Sequence, residues 1–151
     1  MSIRIIEYRP PRIAMALLAA AAVLNRVLPP ETVDVYSSPW AGVLLIIGGF
    51  ALMIVAWYQF RVHRVAICPT EATARLIEDG AYRLTRNPMY LGMIAMLLGI
   101  AMYAGSLPFY GAALVYFVVI DRVFCVYEEA KLASVFGDQY ERYRSRVRRW
   151  I

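Results

Sequence analysis

Histidine and cysteine are almost missing from this chain of 151 residues. There is one histidine, His63, and there are two cysteines, Cys68 and Cys125, far apart in the sequence. That leaves no histidine-based metal centre, and the cysteines lack the spacing of a metal or disulfide framework. Charge is scarce as well, at 18% of residues against 61% hydrophobic. A soluble domain of this length would carry far more. There is no G-x-G-x-x-G after a strand and no P-loop. The net charge of +5 is almost entirely arginine. In a membrane chain that speaks first to topology and anionic lipid, not to nucleic acid. One membrane domain over residues 1–151 is expected.

What the chain does have is four apolar runs. Ile13 to Leu28 is short and alanine-rich, Trp40 to Phe60 is full length, and Met89 to Tyr103 is short. Leu107 to about Tyr127 is interrupted near its end by Asp121-Arg122. About 20 residues cross a hydrocarbon core, so the short runs must borrow flanking residues. The first run follows Arg4, Arg9 and Arg12 and could pass for a signal peptide. Its 12-residue lead and the equally greasy runs after it favour a retained anchor. The expected fold is an all-α membrane protein of about four transmembrane helices with a cytoplasmic amphipathic helical segment at the C terminus.

Loop charge predicts orientation. Pro29 to Pro39 holds Glu31 and Asp34 but no lysine or arginine, and Ala104-Gly105-Ser106 carries no charge. Of the sixteen basic residues, all but Arg26 fall on the other side: three before the first run, five in 61–86 and seven from Arg122 onward. The positive-inside bias puts both termini and the middle loop in the cytoplasm, as in a multi-pass protein of the inner membrane.

Three features lie on that face. In "GAYRLTRNPMYLGM", residues 80–93, Asn87-Pro88 fits a helix start, with Asn as N-cap and Pro at N1. Its free N–H groups make an anion-accepting end, with Arg83 and Arg86 just before it. The plainer reading is topogenic arginine beside an aromatic belt of Tyr82 and Tyr90. At 100° per residue, Asp121, Cys125, Glu128 and Leu132 fall on one stripe, with Arg122, Glu129 and Phe136 beside it. Carboxylates on an apolar stripe are costly and are either functional or ion-paired. In the tail, Gly137 can end a helix and Asp138 can cap the next. Tyr140, Tyr143, Val147 and Trp150 then line one face of a basic amphipathic helix, a surface anchor or a lid. Glycines 48, 49, 92 and 99 sit inside apolar runs, where small residues mean close packing.

The string "LIEDGAYRLTRNPMYLGM", a hydrophobic hairpin, then "EEAKLASVFGDQYERYRSRVRRW" resembles the small membrane methyltransferases of the isoprenylcysteine carboxyl methyltransferase and phospholipid methyltransferase group. The likeness is strongest over residues 60–150. It implies S-adenosylmethionine as cofactor and methyl transfer to a lipid or lipophilic acceptor at the cytoplasmic face. It places the cofactor against Ala74, Arg75, Leu76, Ile77, Tyr82, Asn87, Pro88, Met89, Tyr90, Glu128 and Glu129. Arg86, Asn87 and Glu129 are its candidate catalytic residues. Two positions depart from the isoprenylcysteine branch. Asn87 stands where that branch has histidine, and Phe124 stands where it has a substrate-binding arginine. The nearest arginine, Arg122, becomes the candidate for substrate binding. Phospholipid amines and small lipophilic thiols or acids stay open as acceptors. Two other readings compete: a non-catalytic membrane scaffold or small-ligand carrier, and a lipid reductase, which needs room for a dinucleotide.

Overall fold

The computed structural model describes residues 10–29, 34–63 and 75–151, so Ala74, Glu31 and Cys68 lie outside the described residues. Among these residues the regular structure is all helical, apart from one isolated bridge between Asp34 and Ser106. Helices α1 (Pro10–Val27), α2 (Pro39–His63), α3 (Pro88–Ala104) and α4 (Leu107–Val119) correspond to the four apolar runs. A π-helical turn, Ile120–Phe124, joins α4 to α5 (Cys125–Phe136), and α6 (Asp138–Arg146) follows. A 3₁₀ turn, Gly80–Arg83, precedes α3.

The ends follow from local chemistry. Pro88 occupies the first turn of α3, where a missing N–H costs nothing. Gly105 closes α3 in the left-handed region at φ 61°, which a side chain would resist. Helix α4 does not stop at Asp121-Arg122. The amide of Cys125 reaches back to Ile120 O, five residues earlier, so the rod takes one wide turn and runs on to Phe136. Such turns are rare and concentrate at functional sites.

Among the described residues two rods are long and apolar enough to cross a membrane, α2 and the run Leu107–Phe136. Helix α2 is no core helix: Leu44 and Ile47 are 71% and 61% exposed. Its closest approach is to α3. A Cβ on Gly49 would sit 2.5 Å from Gly92 O, and one on Gly42 would sit 2.6 Å from Gly99 O. The two glycine pairs, spaced seven residues apart on antiparallel rods, let the backbones touch. Gly48 faces open space and has no part in this. Gly49→Ala is therefore expected to cost about 1–3 kcal/mol by overpacking, whereas Gly48→Ala should be silent. Thermal melting in detergent checks this, and equal midpoints for the two variants would show that the seam tolerates a methyl group.

Two buried clusters result. One joins α3 and α4 through Tyr90, Met93, Leu97, Tyr116, Ile120 and Phe124, with α1 against it. The other joins the end of α2 to the loop before α3 and to α6 through Ala56, Leu76, Ile77, Tyr82, Tyr140 and Tyr143. The aromatic face of α6 is thus spent on the protein. The tail also departs from the single helix expected of it. Helix α6 ends at Arg146, and Val147 is extended, so Trp150 lies off the helix. Asp138 opens α6 within its first turn, and the cap position belongs to Gly137, whose φ of 48° favours glycine.

Candidate functional site

A cleft lies between the 3₁₀ turn, the start of α3, α5 and α6. Its walls include Leu76, Ile77, Tyr82, Arg86 and Asn87 on one side and Glu128, Glu129, Leu132, Tyr140 and Tyr143 on the other, with Phe60 and Arg75 completing it. Its enclosed cavity is small, about 70 Å³, and the empty space reaches about 500 Å³ only when the open mouth is counted.

The polar framework starts at Glu129. Its Oε1 accepts from Arg86 Nη2 and from Arg149 Nε, each at 2.8 Å, and its Oε2 accepts from Arg149 Nη2 at 2.8 Å. Arg149 also donates to Asp121 Oδ1 at 3.0 Å, and the Trp150 indole donates to the same oxygen at 2.9 Å. The bond to Glu129 holds the Arg149 proton more tightly than usual. Glu129 and Asp121 are therefore both consumed by the C-terminal segment.

That segment is laced to the loop before α3. Arg86 N donates to Arg148 O, Arg86 Nη1 to Arg144 O and Val147 O, and Thr85 Oγ1 to Arg149 O. Asn87 Nδ2 also donates to Arg149 O at 3.3 Å. Asn87 does hold the cap position of α3, but its side chain makes no capping bond. Its Nδ2 is held by the Arg149 carbonyl.

Glu128 is held differently. Its Oε1 accepts from Tyr90 Oη at 2.5 Å. Tyr82 and Tyr143 meet across the cleft, where Tyr143 Oη donates to Tyr82 O at 2.8 Å. Burial raises both phenols well above the ordinary tyrosine range, so both stay protonated donors. One cleft thus combines a carboxylate bonded to a phenol, two guanidinium groups and four aromatic rings.

Residues 37–139 match the family model for phospholipid methyltransferase. The chain belongs to that family. It is 37% identical over 75 residues to a protein-S-isoprenylcysteine O-methyltransferase of Schizosaccharomyces pombe, across 48% of this chain and 30% of that relative. It is 35% identical over 63 residues to an uncharacterized protein of Haemophilus influenzae, across 42% of this chain and the whole of that one. The chain therefore spans under a third of the yeast relative's length. No solved structure matches it.

In this chain the cleft gathers Arg75, Leu76, Ile77, Tyr82, Arg86, Asn87, Glu128 and Glu129 from the residues picked out in the sequence. Pro88 and Met89 do not line it, and Tyr90 acts on it through Glu128. Arg122 is not brought in: its side chain is 80% exposed and pairs with adjacent Asp121 at 3.3 Å. Phe60, Leu132, Tyr140, Tyr143 and Arg149 complete the site without having been named for it. The shared face of Tyr140 and Tyr143 was the signal for two of them. Nothing local marked Phe60 or Arg149.

Proposed function

We propose that the chain is an S-adenosylmethionine-dependent methyltransferase acting on a lipid or lipophilic acceptor. In this reading α1, α2, α3 and the α4–α5 rod are four spans, and the cleft and both termini face the cytoplasm. The arginine asymmetry of the loops supports the orientation. The observation that carries the function is the Glu128–Arg86 cleft lined with aromatic rings, in a chain of a methyltransferase family.

The residues fit such a cofactor. It is a zwitterion joined to a sulfonium, and it needs a carboxylate for its ammonium, donors for its carboxylate and aromatic faces for its cation. Glu128 would take the ammonium, while Tyr82 and Phe60, stacked edge to face at 5.8 Å, offer the rings. When bound, S-adenosylmethionine supplies a methyl group on a good leaving group. The chain's own part is to align the acceptor's lone pair with that methyl carbon and to exclude water. Positioning of this kind supplies most of the acceleration in an in-line displacement.

Calorimetry with S-adenosylhomocysteine, followed by labelled methyl transfer into lipids in liposomes, tests the reading. Glu128→Gln should keep the fold, because a glutamine oxygen can still accept from Tyr90. It should weaken cofactor binding about ten- to hundredfold through the lost charge-assisted bond. Unchanged binding would remove Glu128 from the site. A non-catalytic scaffold is favoured by one observation, that Glu129 is already tied to two arginines as a strut would be. That reading forecasts no cofactor binding by the native protein.

A further inference from the structure

Among the described residues, two buried side-chain polar atoms have no hydrogen-bond partner: Arg86 Nε and Tyr140 Oη. Both residues line the cleft. Tyr140 is 1% exposed, and the Arg86 side chain is 10% exposed. A buried donor left unmade costs about 1–3 kcal/mol, and buried polar groups are almost always paired. Two such atoms on the walls of one cleft call for a common partner.

The chemistry of the pair says what that partner is. Arg86 Nε–H can only donate, and it belongs to a cation. Burial pushes the Tyr140 phenol up to about 12, with Glu129 adding to the rise and Arg86 and Arg144 opposing it. At neutral pH the hydroxyl is therefore a donor too, and it feels the Arg86 charge. A cationic and a neutral donor suit an anionic oxygen group. The protein's own carboxylates do not fill this need: Glu129 is bonded to Arg86 through Nη2 and not Nε, and Glu128 meets Tyr90.

We infer that Arg86 Nε and Tyr140 Oη form a subsite for a carboxylate of the bound ligand. The inference rests on reading this cleft as the ligand site. The carboxylate is either that of the cofactor's methionine end or that of a lipophilic acid serving as acceptor. In both cases Tyr140 becomes a binding residue, and the lone-standing hydroxyl is its signature.

Tyr140→Phe removes only that hydroxyl and breaks no bond within the protein, so its melting point should match the native one. Binding to native protein and variant would be compared for three probes: S-adenosylhomocysteine, its decarboxylated analogue and oleate. If the carboxylate is the cofactor's, the variant loses about tenfold or more for S-adenosylhomocysteine and nothing for the analogue. If it is the acceptor's, the same loss appears for oleate alone. Equal affinity of native and variant for both acids overturns the subsite, as does an equal loss for S-adenosylhomocysteine and its analogue with oleate unchanged. Failure of the native protein to bind S-adenosylhomocysteine sinks the cofactor reading, and the oleate comparison then decides the subsite by itself. Native protein that binds neither acid overturns both.

Discussion

Glu129→Gln should unfold the protein more readily, lowering its melting point by on the order of 10 °C in detergent. The native carboxylate accepts three charge-assisted bonds from two arginines, with side-chain exposures of 12% for Glu129 and 10% for Arg86. Removing one member of a buried ion pair leaves the others uncompensated, at about 3–5 kcal/mol. For a chain of this size each kcal/mol moves the midpoint by roughly 2–4 °C. Arg149 would keep the Asp121 carboxylate, but Arg86 would face only neutral acceptors, the glutamine oxygen and the carbonyls of the C-terminal segment. Glu128→Gln, by contrast, should melt close to the native protein. The adjacent glutamates are therefore expected to separate, one tested by stability and the other by binding. A melting curve for Glu129→Gln that overlays the native one would show the arginine cluster to be held by something else.

The second large effect is at Arg86. Arg86→Lys is expected to lower methyl transfer about a hundredfold, the scale of loss when a reacting group is misplaced by about 1 Å. An arginine kept only for topology would tolerate lysine, because the charge is preserved. Arg86 is placed otherwise. Its guanidinium reaches Glu129 with one amino group and the carbonyls of Arg144 and Val147 with the other, and its Nε is left over in the cleft. A lysine ammonium is a point charge and cannot span that fork. Labelled methyl transfer in liposomes, on an acceptor that the native protein clearly methylates, is the measurement. Native rates from the lysine variant would return Arg86 to the role of a topogenic charge.

The two effects are linked through the tail. Residues 144–150 supply carbonyls to Thr85, Arg86 and Asn87 and a guanidinium to Glu129. The helix start and the acidic pair thus meet the same segment, and a lesion in any of the three should be felt by the others.

The sequence by itself determined the helices and the outline of the cleft. Apolar runs broken by Pro88, Gly105 and Gly137 set where α3 and α6 begin and where α3 ends, because those residues act on their own backbone whatever surrounds them. The stripe carrying Glu128 followed from helical periodicity, which is local in the same sense. Tertiary structure alone decided how those residues are used. Gly42 and Gly99, 57 positions apart, become one contact only when two helices run antiparallel. Asn87 looks like a side-chain cap until the Arg149 carbonyl arrives to claim its amide. The two glutamates are neighbours on a helical wheel, yet one meets a phenol and the other two arginines. The wide turn at Ile120–Phe124 and the strap of the tail set those partners. Hydrogen bonds and ion pairs depend on ångström-scale distances between segments, whereas hydrophobic periodicity is written into each segment alone.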